Sequence, residues 1–241
     1  MSERVVLVTG STSGIGEATA LRFAALGDTV VFNSARSVEA GRRLAATIPG
    51  SHYVQANIAN GDDCTRLIEQ VLEHCGRLDV LVNNAGITRE IAHRDFAAAT
   101  VDVWREIFDV NVFGTWNLSV AAMDSLRASH GTIINVTSVA GVRPTGSSIP
   151  YAASKAALNH MTALLAKASG PEVRVNAVAP GLVDTPWTAD WEVIRQFVTA
   201  KAPLQRSGTP DDIADVIVAL AATPYVTGQV VVVDGGLTIA T

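Results

Sequence analysis

The sequence predicts a single α/β domain built on a doubly wound parallel sheet of about seven strands, with helices on both faces. Short β-branched runs recur along the 241 residues and are apolar on both sides, which is typical of strands buried on both faces. Longer Ala-rich segments of helical character separate these runs. Regular alternation of this kind implies βαβ units with right-handed crossovers. No linker-like change of composition interrupts the chain, so residues 1–241 are expected to form one domain.

The predicted elements follow from this alternation. Strands are predicted at Val5–Val8, Thr29–Asn33, Tyr53–Ala56, Val80–Asn83, Thr132–Thr137, Val173–Val178 and Gln229–Val233. Helices are predicted at Gly14–Leu26, Val38–Ala46, Asp62–Cys75, Val101–Leu126, Tyr151–Ser169 and Thr209–Ala222. The last helix has a well-defined start, because Thr209 offers a capping hydroxyl and Pro210 suits the first helical turn.

Composition excludes several classes of protein. Hydrophobic residues make up 48% of the chain and charged residues 17%, the opposite of the balance that disorder requires. A net charge of -5 argues against a nucleic-acid-binding surface. The chain contains no apolar run of about 18 to 20 residues and does not begin like a signal peptide, so we expect a cytoplasmic protein without membrane contact. Cys64 and Cys75 form no metal-ligand pattern, and we expect no bound metal.

A glycine-rich loop follows the first predicted strand and leads directly into the first helix. Gly10, Gly14 and Gly16 would let the backbone turn sharply and approach a pyrophosphate. The helix N-terminus then offers free N–H groups and a favourable dipole to the anion. The pattern predicts a Rossmann-like dinucleotide site, and the alternative is a turn that only packs a helix on the sheet. The residues expected at this site are Gly10, Ser11, Thr12, Ser13, Gly14, Ile15 and Gly16.

The end of the second strand indicates which dinucleotide is bound. In such folds an acidic residue there binds the ribose hydroxyl of NAD, whereas a basic residue accommodates the additional phosphate of NADP. Residues 32–37 contain no acid, and Arg36 with Ser34 offers charge-assisted hydrogen bonds to a phosphate. NADP(H) is therefore favoured and NAD(H) remains possible. The alternative is that Arg36 is an ordinary solvated charge.

Tyr151 and Lys155 form the candidate catalytic pair. They lie four residues apart and so share one helix face. An ammonium beside a phenol favours the phenolate, so we expect Lys155 to lower the pKa of Tyr151 toward the range useful for acid/base catalysis. Ser138 ends the fifth strand, at the edge where open α/β sheets bind ligands. Thr137 is its competitor, but only one of two adjacent strand residues should face the site.

These residues, with the motifs around them, resemble the short-chain dehydrogenase/reductase family of the Tyr-x3-Lys type. The resemblance covers essentially the whole chain. The motifs that carry it are the Thr9–Gly16 loop, Asn83-Asn84-Ala85-Gly86, Asn111, Ser138, Tyr151, Lys155, Pro180-Gly181, Thr185 and Asp234-Gly235-Gly236. It implies an NAD(P)(H)-dependent oxidoreductase that transfers hydride between the nicotinamide and a carbonyl or alcohol.

The resemblance also implies a role for each matching residue. Tyr151 would exchange the proton with the substrate oxygen, Lys155 would hold the nicotinamide ribose, Ser138 would orient the carbonyl and Asn111 would anchor a proton-relaying water. The remaining cofactor contacts would come from Asn83, Ala85, Gly86, Pro180, Gly181, Val183 and Thr185, and residues 182–203 would form a substrate lid. Asn111 could instead be only a helix-packing residue, and 83–86 an ordinary turn.

Two departures from the family pattern concern the cofactor. Asn57-Ile58 stands where relatives commonly carry Asp followed by an apolar residue to contact adenine. The amide oxygen of Asn57 can still accept a hydrogen bond, so we expect weaker adenine selectivity and not loss of binding. Thr12 and Ser13 stand where many NADP-preferring relatives have a basic residue. Arg36 would then be the main phosphate contact.

The substrate is less well defined than the mechanism. Trp187 and Trp191 in the lid suggest an apolar substrate wall, or alternatively an oligomer contact or simple lid packing. The C-terminal half is similar to 3-oxoacyl-[acyl-carrier-protein] reductases, but Ser129 replaces the basic residue that usually docks the acidic carrier, with Arg127 nearby. The principal hypothesis is a dehydrogenase/reductase of a small-molecule carbonyl or alcohol. The alternatives are a 3-oxoacyl-carrier reductase and a non-catalytic nucleotide sensor or scaffold. The resemblance implies a homotetramer or homodimer.

Overall fold

The computed structural model describes residues 4–240, and they form one seven-stranded sheet in which every neighbouring pair of strands is parallel. The spatial order is β3-β2-β1-β4-β5-β6-β7. The strands are β1 (Val5–Val8), β2 (Thr29–Ser34), β3 (His52–Gln55), β4 (Val80–Asn83), β5 (Thr132–Val136), β6 (Arg174–Pro180) and β7 (Val230–Val233). All seven lie where the alternation of the sequence predicts them, within a few residues.

All helices but the last lie between successive strands, and they cover both faces of the sheet. They are α1 (Gly14–Ala25), α2 (Val38–Ala46), α3 (Gly61–Cys75), α4 (Val101–Phe108), α5 (Thr115–Ser129), α6 (Ile149–Ser169), α7 (Glu192–Lys201), α8 (Pro210–Ala222) and α9 (Leu237–Ala240). Their starts follow the expected chemistry: Asn60 accepts from two N–H groups at the start of α3, and Thr209 forms a capping box with Asp212 at α8.

Two parts of the helical prediction are wrong. The expected single helix Val101–Leu126 is divided into α4 and α5 by a π-helical segment, Asp109–Gly114. At the end of this segment the backbone packs closely, because a Cβ on Gly114 would lie 2.8 Å from the carbonyl oxygen of Ile58. The helices α7 and α9 were not predicted; α7 lies within the segment that was expected to be a lid.

Two apolar layers hold the helices on the sheet. One layer packs α3, α5 and α6 against one face through residues such as Leu67, Leu118 and Leu165. The other packs α1 and α8 against the opposite face, where Phe23 and Ile217 are fully buried. Strand residues alternate between the two layers, so the sheet is buried on both faces, as expected for parallel strands.

The strand order creates a crevice at the carboxyl ends of β1 and β4. The chain moves outward from β1 to β2 and β3, then returns to β4 on the other side of β1. Ligands of open α/β sheets bind at such a reversal point. Within residues 4–240, no helix is long and apolar enough to cross a membrane.

Candidate functional site

The glycine loop after β1 has the geometry of a phosphate cradle. Gly10 and Gly14 have positive φ angles of 61° and 57°, which residues with a Cβ rarely adopt. A Cβ on Gly16 would lie 2.4 Å from the carbonyl oxygen of Gly10, and one on Gly14 would lie 3.2 Å from Thr185 Cγ2. The loop therefore needs glycine at all three positions, and the residues present fit a dinucleotide pyrophosphate at the start of α1.

Polar contacts hold this loop to the neighbouring strands. Thr9 Oγ1 accepts hydrogen bonds from the backbone N–H groups of Asn84 and Ala85, at 3.0 and 3.1 Å. Asn84 Nδ2 in turn donates to the carbonyl oxygens of Thr9 and Gly10, at 2.9 and 3.1 Å. On the other side, Ser11 exchanges hydrogen bonds with the backbone of Asn33. The loop is thereby fixed between β2 and β4 before any ligand binds.

Asn84 is a residue that the sequence prediction missed. Asn83, which was predicted at the cofactor floor, is buried and donates through Nδ2 to Ser119 Oγ and Asn135 Oδ1, at 3.2 and 2.9 Å. Asn84 lines the crevice instead. Side chains alternate near a strand end, so the adjacent pair of asparagines was the available signal that only one could face the site.

A cavity of about 740 Å³ runs along the crevice from the glycine loop to α7. The predicted site residues that line it are Gly10, Thr12, Ser13, Gly14, Ile15, Gly16, Ala85, Gly86, Ser138, Tyr151, Lys155, Pro180, Gly181, Val183 and Thr185. The predicted residues that do not line it are Ser11, Ser34, Arg36, Asn57, Ile58, Asn83 and Asn111. Most of the prediction therefore converges on one space.

The residues predicted for the adenosine end lie outside this cavity. Ser34 is buried and shares a 2.8 Å hydrogen bond with the Tyr53 hydroxyl, whereas Arg36 is exposed. The Asn57 side chain accepts from the backbone N–H of Ala59 at 3.2 Å, which leaves one lone pair on its amide oxygen. Ile58 is buried against the π-helical segment. Of these four residues, therefore, only Arg36 and Asn57 are exposed.

Tyr151, Lys155 and Ser138 meet at the edge of the cavity. Tyr151 and Lys155 lie one turn apart on α6, and the Lys155 ammonium is 5.7 Å from the centre of the Tyr151 ring. Ser138 lies beside the Tyr151 hydroxyl and lines the same cavity. Thr137 points away from this cluster, because its hydroxyl donates to the carbonyl oxygen of Val178. Both residues line the cavity, but Ser138 is the one beside the Tyr151 hydroxyl.

The pKa of Tyr151 differs from the expectation. Burial raises it to about 12, and the hydrogen bond to Ser138 opposes that change only in part. The lowered pKa that we expected from Lys155 is not found, since the ammonium donates to the carbonyl oxygen of Val136 at 3.0 Å and not to the phenol. Burial also lowers the pKa of Lys155 to about 8. Tyr151 is therefore a protonated phenol at neutral pH.

Asn111 lies behind the cavity, within the π-helical segment. Its side chain accepts from the backbone N–H of Ile87 at 2.8 Å and donates to Ser154 Oγ at 3.0 Å, so it joins α6 to the loop after β4. A Cβ on Gly86 would lie 3.2 Å from Asn111 Oδ1 and 3.5 Å from Lys155 Nζ. The absence of a side chain at Gly86 keeps a small space between these two polar groups.

The segment after β6 closes the other side of the cavity. Trp187 packs edge-on against the Tyr151 ring, with centroids 6.2 Å apart. Trp191 donates from its indole nitrogen to the carboxylate of Glu90, in the loop after β4. Asp184 holds α7 through Arg195 at 2.9 Å. The two tryptophans therefore connect this segment to Tyr151 and to the opposite wall.

The apolar wall of the cavity contains residues that the sequence prediction did not name. Ile194, Phe197 and Val198 of α7 line it, together with Leu237 at the start of α9. The spacing of the first three, at i, i+3 and i+4, is that of one apolar helix face and was a usable signal. Ile194 and Phe197 are about half exposed, at 45% and 50%. The cavity thus offers polar groups at one end and a broad apolar surface at the other.

Comparison with known proteins agrees with this geometry. A family model described as "Enoyl-(Acyl carrier protein) reductase" matches residues 10–238. A protein of Streptomyces violaceoruber named as a ketoacyl reductase of the granaticin polyketide synthase is 54% identical over 236 residues, covering 96% of this chain and 95% of that protein. The 3-oxoacyl-[acyl-carrier-protein] reductase FabG of Thermotoga maritima is 39% identical, with 98% of each chain covered.

A solved structure shows the same architecture. The crystal structure of a protein of Burkholderia xenovorans, described as a short-chain dehydrogenase/reductase, superposes with a TM-score of 0.92 at 36% identity and covers 99% of both chains. The fold, the order of the motifs and the relatives all lead to one assignment. The chain belongs to the short-chain dehydrogenase/reductase family of oxidoreductases, whose members use a nicotinamide cofactor.

Proposed function

We propose that this protein is an NADP(H)-dependent ketone reductase in which Tyr151 is the proton donor. The observation that carries the proposal is the convergence of Tyr151, Ser138 and Lys155 at the edge of one cavity that also contains the glycine loop. A phenol, a hydroxyl and an ammonium at that position suit the binding and protonation of a carbonyl oxygen.

The bound nicotinamide supplies the hydride that reduces the carbonyl carbon. Ser138 donates a hydrogen bond to the substrate oxygen and orients it toward Tyr151. The Tyr151 phenol then transfers its proton to that oxygen as negative charge develops there, and becomes a phenolate. A pKa of about 12 keeps the phenol protonated at neutral pH, which suits the reductive direction. The nearby Lys155 ammonium stabilises the phenolate that remains.

Most of the remaining predicted residues would take part in cofactor binding or proton relay. The loop of residues 10–16 would hold the pyrophosphate, while Ala85 and Gly86 would form the floor beside it. Val183 and Thr185, which follow Pro180 and Gly181, would bind the carboxamide. Asn57 and Ile58 would contact adenine. Asn111 would support a water that returns a proton through Lys155, since the space at Gly86 lies between its Oδ1 and the ammonium.

The preference for NADP(H) rests on the end of β2. Residues 32–37 contain no carboxylate, and the side chain of Arg36 is exposed without an ion-pair partner among residues 4–240. A dianionic phosphate on the ribose would be attracted to this cation. Wild-type protein should therefore show a KM for NADPH at least tenfold below that for NADH, and equal KM values would contradict the preference.

The substrate that fits best is a 3-oxoacyl or polyketide chain. The wall formed by Trp187, Ile194 and Phe197 is apolar and partly open, so it suits an extended carbon chain whose ketone reaches Tyr151. Ketoacyl reduction is also what the names of the two relatives above describe. The second candidate is a small ketone or alcohol that carries no acyl group.

The proposed partners are an acidic acyl carrier protein and further copies of this chain. Ser129 turns inward, where its hydroxyl donates to Leu78 O, so Arg127 is the exposed cation left for an acidic carrier at this corner. Exposed apolar side chains on α5 and α6, such as Trp116 and Leu164, suit packing between subunits of a homotetramer or homodimer. A monomer mass by light scattering would contradict the assembly.

The decisive experiment is a comparison of wild-type protein with Tyr151→Phe, which keeps the ring against Trp187 and removes the proton donor. With NADPH and a 3-oxoacyl thioester, kcat should fall about 10²- to 10⁴-fold. Cofactor affinity should stay within about twofold, because the variant retains the shape of the site. A variant that reduces the substrate as fast as wild type would refute the role of Tyr151.

A further inference from the structure

The turn after β2 is held in place by hydrogen bonds from side chains of the edge strand β3. Gln55 Nε2 donates to the carbonyl oxygen of Ala35 at 2.9 Å, and the Tyr53 hydroxyl lies 2.8 Å from Ser34 Oγ. The other side of the same turn is tied to the glycine loop, because Ser11 and Asn33 exchange hydrogen bonds. Two separate elements therefore determine where the Ser34 hydroxyl is presented.

Tyr53 reaches Ser34 because α2 carries a glycine beneath its ring. A Cβ on Gly41 would lie 2.1 Å from Tyr53 Cε2, so the ring occupies the volume that any other residue at position 41 would fill. Ser34 and Phe32 lie two residues apart on β2 and share the face on which α1 packs. The Tyr53 hydroxyl and Ser34 thus belong to the same side of the sheet as the start of the glycine-loop helix.

The hydroxyl pair has one proton to donate beyond its own hydrogen bond. Each hydroxyl carries one proton, and the bond between Tyr53 and Ser34 uses only one of the two. A phosphate accepts hydrogen bonds and attracts cations, and Arg36 lies two residues beyond Ser34 with an exposed guanidinium. When Tyr53 donates to Ser34, the Ser34 hydroxyl is free to donate outward, and hydrogen bonds in such a chain strengthen one another.

We propose that Tyr53 is a positioning residue for the 2′-phosphate of NADP(H), orienting the Ser34 hydroxyl so that it donates to the phosphate beside Arg36. The inference rests on the proposed preference for NADP(H). It assigns part of that preference to an edge-strand residue that contacts the cofactor only through Ser34.

The test measures binding of two small probes by titration calorimetry. Adenosine 2′,5′-bisphosphate carries the phosphate in question, and adenosine 5′-monophosphate lacks it. Tyr53→Phe keeps the ring over Gly41 and removes the hydroxyl. We expect its Kd for the bisphosphate to rise about fivefold, while the Kd for the monophosphate stays within about twofold. The matched control is Tyr225→Phe, because the fully exposed Tyr225 should leave both affinities unchanged.

Kinetics supply a second readout that a merely structural role would not change. Tyr53→Phe should raise KM for NADPH by a similar factor without lowering kcat, and should leave KM for NADH unaltered. A Tyr53→Phe protein that binds the bisphosphate as wild type does, or that loses affinity for both probes equally, overturns the inference.

The outcomes also separate this inference from the proposed function. If wild-type protein binds both probes equally, the preference for NADP(H) itself fails. If wild type discriminates and Tyr53→Phe discriminates as well as wild type, only the role of Tyr53 fails. Thermal unfolding checks that the variant is folded. Should it not fold, Ser34→Ala decides, since unchanged bisphosphate affinity in that variant would overturn the proposal.

Discussion

The buried ammonium of Lys155 destabilises the folded protein at neutral pH, and the size of this effect can be worked out from the structure. The side chain is 4% exposed, and burial lowers its pKa from 10.5 to about 8. Below pH 8 the lysine is charged in both the folded and unfolded states, so the full desolvation cost is present. Between pH 8 and 10.5 the unfolded chain binds more protons, and stability therefore rises with pH.

The variant Lys155→Met removes this titration while keeping a side chain of similar length. The linkage relation gives a cost of about 3 kcal/mol at pH 7 and about 1 kcal/mol at pH 9.5 for the wild-type lysine. The stability of wild type relative to the variant should therefore increase by about 2 kcal/mol over this interval. At pH 7 the variant also leaves Val136 O without its donor, at about 1–3 kcal/mol, so the absolute difference there is small.

Urea unfolding followed by tryptophan fluorescence, at pH 7 and at pH 9.5, measures the difference directly. Lys167→Met is the matched control, because Lys167 lies on the same helix and is exposed. Its stability relative to wild type should hardly change with pH. If the difference between wild type and Lys155→Met is the same at both pH values, the argument from burial is refuted.

Two further substitutions test the cradle and the closing segment. Gly16→Ala places a Cβ 2.4 Å from the carbonyl oxygen of Gly10. We expect the free energy of unfolding in urea to fall by about 1–3 kcal/mol and NADPH binding to weaken at least tenfold. Wild-type values for both would contradict the requirement for glycine in this loop. Glu90→Ala removes the acceptor for the Trp191 indole and should raise KM for the ketone up to about fivefold, without changing KM for NADPH. Glu90→Gln keeps an acceptor and should behave as wild type; equal effects of both would argue against the hydrogen bond.

The order of strands and helices was predictable because parallel strands buried on both faces leave a strong signal. Runs such as Val5–Val8 and Val80–Asn83 are short and apolar on both sides. The segments between successive strands are long enough to contain a crossover helix. The glycine loop and the Tyr151–Lys155 pair were found for a similar reason. Their chemistry depends on sequence spacing within one element, which can be read without knowing the fold.

What the sequence could not show were the features that depend on contacts between distant elements. The raised pKa of Tyr151 follows from burial. The Lys155 ammonium donates to the carbonyl oxygen of Val136, which lies on β5, nineteen residues earlier in the sequence. Asn84 lines the crevice because of Thr9, 75 residues before it. The helix α7 was missed for a different reason. Its apolar face is visible in the spacing of residues 194, 197 and 198, but the expectation of a lid over residues 182–203 includes no helix.

The π-helical segment between α4 and α5 changes the rotational orientation of the side chains on α5 relative to those on α4. One residue corresponds to about 100° of helical rotation, so a helix that accommodates an additional residue within one turn presents a different face beyond it. Asn111 lies inside this segment and reaches both Ile87 and Ser154. In a continuous α-helix through residues 101–129, Asn111 could not reach Ile87 and Ser154 while the apolar face of α5 still packed against the sheet. The π-helical segment therefore allows Asn111 to lie behind the crevice while α5 packs into the core.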